Sequence, residues 1–221
     1  MPRGGKRLAV AIAASEALVQ LDALVAAVRG QGQGESKFKR ALETLETLAR
    51  KEAIPIAIVG GLGAIHHGYE RFTKDIDVVV ARRNLDSIVR VAPKYGIKVI
   101  WQDPAGWHKL NCHGVDIDVV PEGSAPEPRA PTTIPGPKQL GVQKGTGYAS
   151  LAGWVETKLG SNRIQDRADV VQVMKKTGRD KLAKVRDAIA KVDSVYLRRF
   201  DELHAAAEAE KEREAERGRP R

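Results

Sequence analysis

Apolar residues recur every three or four positions in the first fifty residues of the chain. This spacing predicts one helix over Leu8–Val28 and a second over Ser36–Lys51. The segment Gln31–Gly34 separates them, because its glycines interrupt a helix. We therefore expect residues 1–53 to form an N-terminal helical pair.

Short apolar runs of strand type alternate with helical segments through the middle of the chain. Pro55 precedes one such run, which ends in two consecutive glycines. Strands interleaved with helices indicate an α/β core with a mixed sheet, here over residues 54–121. The predicted strands are Ile56–Val59, Thr73–Val80, Ile97–Trp101 and Gly114–Pro121, and the predicted helices are Leu62–His67 and Leu85–Val91.

Beyond the core, a proline-rich segment at residues 122–137 predicts an ordered surface loop or a linker. A C-terminal helical part follows over residues 138–203, where the apolar pattern returns to helical spacing. In the charged tail, residues 204–221, the apolar stripe fades, which predicts a solvated or frayed helix. The predicted helices of this part are Leu151–Leu159, Gln165–Lys176 and Arg179–Leu203.

The charge of the chain is unevenly placed along the sequence. The formal net charge is +9, yet the last 24 residues hold seven basic and seven acidic residues. Between Lys138 and Arg186 there are eleven basic and four acidic residues. Such a stretch favours a polyanion such as RNA, although a solvated charged face explains it equally well.

Cysteine content and hydropathy bear on the compartment in which the protein works. Cys112 is the only cysteine, so no disulfide within the chain is expected. No apolar stretch is long enough to span a membrane. We therefore expect a cytoplasmic protein without a membrane partner.

Four aspartates occupy alternate positions on two predicted strands. Asp75 and Asp77 share one face of the strand that contains them, and Asp116 and Asp118 share one face of a later strand. Carboxylates this close repel one another unless a cation lies between them. We prefer Asp118 as the third carboxylate of a metal site because it lies nearer the end of its strand, with Asp116 as the reserve.

A glycine pair offers a place for phosphate groups. Gly60-Gly61 lies between a predicted strand and a predicted helix, where glycine lets the backbone approach a ligand closely. The free amides at a helix N-terminus favour an anion there. Together with the aspartates, the pair suggests a site for a metal-bound triphosphate.

These residues carry a resemblance to a known family. The segments Gly60–Gly68 and Arg71–Val80 contain Gly-Gly, a spacer and Asp-x-Asp, and they resemble the DNA polymerase beta type nucleotidyltransferase superfamily. Similarity is greatest to small bacterial and archaeal members that include the abortive-infection nucleotidyltransferase toxins. It extends over about Ile56–Lys176, where a later helix carries the family-like set Lys158, Arg163, Asp166 and Asp169.

The resemblance implies a site and a reaction. An enzyme of this family would move a nucleoside monophosphate from a triphosphate such as ATP to an acceptor, with two Mg²⁺ ions bound. A toxin-like member would act on RNA, for example transfer RNA, and would have a cognate antitoxin. The implied metal-binding and catalytic residues are Asp75, Asp77 and Asp118. The implied nucleotide-binding residues are Gly60, Gly61, Arg71, Thr73 and Lys158.

Other interpretations stay open or are weaker. The acceptor is a small molecule or a protein in one alternative, and in another the chain is a non-catalytic nucleotide-binding module. A dinucleotide-binding fingerprint is disfavoured because His66 occupies the third glycine position. A zinc site is disfavoured because Cys112 and His113 are adjacent and would point to opposite faces of a strand. Trp101 and Trp107 are expected to be core residues or pocket walls rather than stacking platforms.

Overall fold

The computed structural model describes residues 36–217, which form a six-stranded mixed sheet with helices on both faces. The predicted helix Leu8–Val28 lies outside the described residues. Helix α1 (Lys37–Lys51) begins at Ser36, whose hydroxyl oxygen accepts a hydrogen bond of 3.0 Å from the backbone N–H of Lys39. Such a cap satisfies one of the free amides of the first turn.

The strands run in the spatial order β3-β4-β5-β2-β1-β6. Strand β2 pairs in parallel with β5 and antiparallel with β1, β1 pairs in parallel with β6, and β4 pairs antiparallel with both β3 and β5. The chain thus places β2 and β5, which carry the four aspartates, at the centre of the sheet. The strands are β1 (Ile56–Ile58), β2 (Asp75–Val80), β3 (Lys98–Gln102), β4 (His108–Cys112), β5 (Val115–Pro121) and β6 (Thr146–Tyr148).

Two hydrophobic clusters cover the two faces of the sheet. One cluster packs α1 and α3 against residues such as Ile76 and Ile117. The other packs the C-terminal helices and the proline-rich loop against residues such as Val79 and Ala57. Successive residues of a strand point to opposite faces of the sheet, so alternate residues enter each cluster. The helices are α2 (Gly60–His66), α3 (Leu85–Val91), α4 (Leu151–Ser161), α5 (Ile164–Lys176), α6 (Arg179–Ala190) and α7 (Ser194–Arg217).

The structure confirms the α/β core with a mixed sheet and the C-terminal helical segment. Strands β4 and β6 were not predicted, and α2 begins at Gly60, so both glycines lie within its first turn. The predicted helix over Arg179–Leu203 is two helices. The Asp193 side chain accepts a 2.7 Å hydrogen bond from the N–H of Val195 and so marks the start of α7.

The charged tail is helical, as the sequence predicts, and part of it is packed rather than solvated. Helix α7 continues to Arg217 and packs against α5, and Ala207 is fully buried between them. Lys175 on α5 forms ion pairs with Glu210, at 3.2 Å, and with Glu214. The tail therefore contributes to the helical layer past Leu203, because the buried Ala207 and the ion pairs of Lys175 hold it there.

The proline-rich segment is an ordered loop. The N–H of Ile134 donates to the carbonyl of Ser124, and the N–H of Gly123 donates to the carbonyl of Ile134, both at 2.9 Å. Ile134 itself is buried in the second cluster. The loop is thus held against the sheet, next to the C-terminal end of β5.

Among residues 36–217, no helix combines the length and the apolar character needed to cross a membrane.

Candidate active site

Acidic side chains from β2 and β5 meet on one face of the sheet. In the parallel register of these strands Asp75 pairs with Asp116, and Asp77 pairs with Asp118. Register partners on neighbouring strands project to the same side. The structure therefore brings together the three predicted carboxylates, Asp75, Asp77 and Asp118, with the reserve choice Asp116 beside them.

The carboxylate of Asp77 lies directly against the glycine pair. A β-carbon at Gly60 would be 1.8 Å from Oδ2 of Asp77, and Gly60 has a positive φ of 56°. Both observations exclude any other residue at this position without local rearrangement. The glycine turn and the Asp77 carboxylate are thus in direct contact.

The second glycine packs against the residues that precede β2. A β-carbon at Gly61 would be 2.6 Å from the Thr73 hydroxyl and 3.8 Å from the guanidinium carbon of Arg71. The Thr73 hydroxyl donates to Oδ1 of Asp75 at 3.2 Å. Arg71 and Thr73 therefore lie beside the glycine turn as expected, and Thr73 orients a carboxylate of the site. Direct nucleotide contact by either residue stays a prediction.

Asp77 is the most perturbed acid of the group. Burial, followed by the neighbouring charges of Asp75 and Asp118, raises the pKa of Asp77 to about 6 against the opposing effect of Lys158 and Arg163. The anionic form of Asp77 is therefore short of positive partners. A carboxylate in this state favours either a proton or a bound cation.

Lys109 on β4 is a site residue that the sequence analysis missed. Its ammonium lies 2.8 Å from Oδ1 of Asp118 and 4.0 Å from Oδ2 of Asp116. The hydrogen bond to Asp118 raises the pKa of Lys109. Asp116 also accepts a 2.7 Å hydrogen bond from the side-chain amide of Asn111. Each acid on β5 thus has one hydrogen-bonding partner, and of the two Asp118 lines the cleft, in keeping with the preference for Asp118.

A buried ionic network lies at the other wall of the site. The Lys158 ammonium contacts Asp166 at 2.7 Å and Asp169 at 2.8 Å, and all three side chains are buried. Arg71 reaches Asp169 at 2.6 Å, and Arg163 reaches Asp166 at 2.7 Å. These residues are therefore not helix-surface ion pairs, because α4 and α5 enclose the two carboxylates and α2 packs against both helices.

The network keeps the Asp166 carboxylate ionised. Burial alone would raise the pKa of Asp166, but hydrogen bonds from Arg163, Lys158 and Ser161 and the charge of Lys158 lower it to about 2. The Lys158 ammonium is committed to two carboxylates, whereas the Arg163 side chain is 76% exposed. Arg163 is therefore the more accessible cation, and phosphate binding by Lys158 stays a prediction.

Trp154 links this network to the glycine turn. Its indole N–H donates to the carbonyl of Gly60 at 3.0 Å, and its ring lies 5.8 Å from the Lys158 ammonium. A β-carbon at Gly63 would be 2.4 Å from the same ring. Trp154 is thus a fully buried core residue that supports the glycine turn.

A cleft of about 620 Å³ opens between the sheet, α4 and the proline-rich loop. This volume is typical of a site for a small ligand or nucleotide. The glycine turn, the aspartates of β2 and β5, and the ionic network around Lys158 all contribute residues to the walls of this cleft. The lining residues include Gly60, Asp77, Trp101, Trp107, His108, Lys109, Asp118, Val120, Pro126, Glu127, Pro128, Ile134, Thr157, Lys158, Ser161, Arg163 and Asp166.

Within the described part of the chain, no three His, Cys, Asp or Glu side chains already form a metal-ligating cluster. Beside the aspartates of β2 and β5, the Lys109 ammonium is paired with Asp118.

The histidines contact other groups. The His66 ring stacks on Tyr148 at 4.2 Å, and His67 contacts the carbonyl of Ala149 at 3.1 Å. Burial lowers the pKa of His67 to about 3, so its imidazole is neutral.

Comparison with known proteins adds limited information. No family model matches the chain. No curated protein matches it either. A solution structure of the antibiotic-resistance factor ANT(2'')-Ia is similar with a TM-score of 0.42 and 14% identity, over 81% of this chain and 96% of that one. A crystal structure of ANT(2'')-Ia in complex with adenylyl-2''-tobramycin has a TM-score of 0.36 and 12% identity, over 79% and 96%. Likeness at this level carries no functional conclusion.

Proposed function

We propose that this chain is a magnesium-dependent nucleotidyltransferase that moves a nucleoside monophosphate from a nucleoside triphosphate to an acceptor. One observation carries the proposal: the carboxylates of Asp75, Asp77 and Asp118 share one sheet face, and the central one contacts Gly60. A glycine turn facing clustered acids is what metal-bound triphosphate requires. The sequence resemblance to DNA polymerase beta type enzymes supports the same conclusion.

The residues present fit divalent cations. Carboxylate oxygens are the hard ligands that Mg²⁺ prefers, and a nearby cation would stabilise the ionised form of Asp77, whose pKa is raised by burial and by the neighbouring acids. Asp75 and Asp77 would hold the ions, and Asp118 would complete the site. When bound, the cations neutralise the charge that develops on the transferring phosphoryl group.

The chain's own residues would bind and orient the triphosphate. The first-turn amides of α2, at Gly60 and Gly61, have no acceptor within the helix and would donate hydrogen bonds to the phosphates. Arg163 projects its exposed guanidinium into the cleft, where it is placed to contact phosphate oxygens. Lys158 holds Asp166 and Asp169 and thereby keeps α4 and α5 in place around the cleft.

Asp118 is the residue through which an acceptor would be activated. Its carboxylate is 32% exposed and lies at the cleft surface, paired with Lys109. In the proposed reaction the acceptor hydroxyl forms a bond to the α-phosphorus, its proton goes to Asp118, and pyrophosphate leaves with the broken α–β bond. Ligation of the second cation is the other role that a carboxylate at this position can fill.

RNA is the acceptor that the charge distribution favours. The basic excess between Lys138 and Arg186 covers α4, α5 and most of α6, and of these helices α4 and α5 contribute residues to the cleft. A polyanion bound there would release counterions, so its binding would weaken as salt rises. Transfer RNA is the form we propose, with a toxin-like role in growth control and an antitoxin as partner. A small molecule or a protein as acceptor is the alternative.

The proposal is tested by incubating the purified protein with Mg²⁺, total cellular RNA and each of the four triphosphates labelled at the α-phosphate. We expect label to enter the RNA fraction from at least one triphosphate, with release of pyrophosphate and dependence on Mg²⁺. The protein could instead bind nucleotide without releasing pyrophosphate in the presence of RNA, protein and small-molecule extracts alike. That result would refute the proposed enzymatic activity and identify the chain as a nucleotide-binding module.

A further inference from the structure

Four side chains form a continuous row across the sheet. Trp101 on β3 pairs with Lys109 on β4, Lys109 pairs with Asp118 on β5, and Asp118 pairs with Asp77 on β2. Gly60 lies against Asp77 at the far end of this row. Register partners project to one face, so the row forms a floor that runs from a tryptophan to the glycine turn.

The two ends of the floor differ in chemistry. The glycine end offers backbone amides and the carboxylate of Asp77, whereas the opposite end is lined by flat apolar surfaces. Trp101 and Trp107 line the cleft from the β3–β4 hairpin, and Pro126 and Pro128 line it from the proline-rich loop. We call the end defined by these four residues the aromatic end.

Trp101 is not held there by the protein core. Its side chain is 52% exposed, whereas Trp154 is fully buried. Trp107 is partly buried against the second hydrophobic cluster and still lines the cleft. Exposed indole surface in a cleft is a platform on which a flat ring can stack, because stacking removes apolar area from water and aligns two π-systems. Trp101 and Trp107 are thus pocket walls, as expected from the sequence, and their exposed indole surface also suits stacking.

We propose that the aromatic end binds the base of an acceptor nucleoside, whose hydroxyl is thereby placed at Asp118. This inference depends on the proposed function. An in-line displacement requires the attacking oxygen and the leaving pyrophosphate on opposite sides of the α-phosphorus. If the triphosphate lies at Gly60, the attacking hydroxyl comes from the Asp118 side, and beyond Asp118 the floor leads to Lys109 and Trp101.

The charges at this end agree with a nucleoside that carries a phosphate. Lys109 lies between Trp101 and Asp118 in the row, with its side chain 38% exposed. A nucleotide at the end of a strand would place its base on the indoles and a backbone phosphate near this ammonium. A free nucleoside would use the same stacking surface without the phosphate contact.

The experiment compares binding of three probes to the full chain, followed by quenching of tryptophan fluorescence and by calorimetry. The probes are adenosine, a single-stranded trinucleotide with a free 3′-hydroxyl, and ribose 5-phosphate, which has no base. We expect the first two to bind and ribose 5-phosphate to bind at least about tenfold more weakly. Tighter binding of the trinucleotide than of adenosine identifies a strand end as the source of the base, and equal binding identifies a free nucleoside.

Variants locate the binding surface. Trp101→Ala and Trp107→Ala should each weaken adenosine binding about five- to 100-fold, and Trp107→Phe should restore most of it. The matched control is Ile100→Ala, because Ile100 is 55% exposed beside Trp101 and does not line the cleft. Unchanged adenosine affinity in both tryptophan-to-alanine variants would overturn the proposal.

A second arm separates this inference from the proposed function. Adenosine binding is repeated with Mg²⁺ and a saturating triphosphate analogue that cannot be cleaved at the α–β bond. We expect adenosine to bind alongside the analogue and Trp107→Ala to leave the affinity for the analogue within about twofold. Competition between the two, or loss of analogue binding in Trp107→Ala, would assign the aromatic end to the triphosphate's own base. Failure of the analogue itself to bind would count against the proposed function.

Discussion

The Asp77 carboxylate occupies the space that a side chain on Gly60 would need: a β-carbon there would lie 1.8 Å from Oδ2. The glycine turn, which is proposed to bind phosphate, and Asp77, which is proposed to bind metal, therefore pack directly against each other. The Trp154 indole fixes the same glycine from the other side through its hydrogen bond to the Gly60 carbonyl. A change at Gly60 must consequently disturb the acid cluster.

Gly60→Ala is predicted to lower nucleotidyl transfer by about 100-fold or more, since displacement of a catalytic group by about 1 Å has effects of that size. The matched control is Gly114→Ala. Gly114 also has a positive φ, of 80°, but nothing lies within 4 Å of an added β-carbon. The control should lose about 1 kcal/mol of stability to backbone strain and keep its activity. Equal activity loss in the two variants would argue against the contact with Asp77.

The raised pKa of Asp77 predicts a pH-dependent stability of the metal-free protein. Because the folded-state pKa of about 6 exceeds the ordinary value of 3.8, the folded protein binds more protons between these values. Folding stability attributable to Asp77 is then present below pH 4 and is lost as pH rises through 6, by about 3 kcal/mol at most. Asp77→Asn should therefore stabilise the protein above pH 7, and urea unfolding across this range measures the gain.

At acid pH the gain from Asp77→Asn should vanish, because Asp77 in the unaltered protein is then protonated and as neutral as asparagine. Magnesium at millimolar concentration should also remove the gain at neutral pH, since the bound cation favours the ionised acid. A gain that is the same at pH 4 and pH 8 would contradict the assigned pKa.

Lys109→Met is predicted to tighten binding of a divalent cation by about three- to tenfold. In the metal-free protein the Lys109 ammonium lies 2.8 Å from Asp118, where its positive charge repels a second cation. Binding of Mn²⁺, followed by its electron paramagnetic resonance signal, measures the effect. Lys98→Met, at an exposed position on the neighbouring strand, is the control. Weaker Mn²⁺ binding in Lys109→Met would show that the lysine supports the metal site instead.

Lys158→Met is predicted to destabilise the protein by about 3–5 kcal/mol, because it leaves two buried carboxylates without their shared cation. Urea denaturation gives the free energy of unfolding. The comparison variant is Arg186→Met, which removes the exposed pair with Asp201 and should change stability little. Similar losses in both variants would show that Lys158 is as solvated as a surface lysine.

Much of the central site followed from local sequence pattern. The alternation around Asp75 and Asp77 fixed which side chains share a face, and period two again grouped Asp116 with Asp118. The glycine pair was correctly expected where a strand gives way to a helix, although the helix begins at Gly60 and not at Leu62. These features depend on neighbours in sequence, which is why a single chain reveals them.

Features that depend on distant pairing were missed. Lys109 joins the site only because β4 lies beside β5, and β4 reads as His-Lys-Leu-Asn-Cys, with Leu110 as its one strongly apolar residue. Its alternation of buried and partly exposed residues was the signal that could have identified the strand. The burial of Lys158 between Asp166 and Asp169 required the packing of α4 on α5, which no local pattern encodes.

The most direct test of the proposed site is magnesium-dependent incorporation of α-labelled nucleotide by four proteins: unaltered, Asp75→Asn/Asp77→Asn, Asp118→Asn and Asp116→Asn. Asp116 is the matched control because it shares the face and the strand but is satisfied by Asn111. We predict activity in the unaltered protein and in Asp116→Asn, and its loss in the other two. Undiminished incorporation by Asp75→Asn/Asp77→Asn would contradict the assignment of these carboxylates as the catalytic centre.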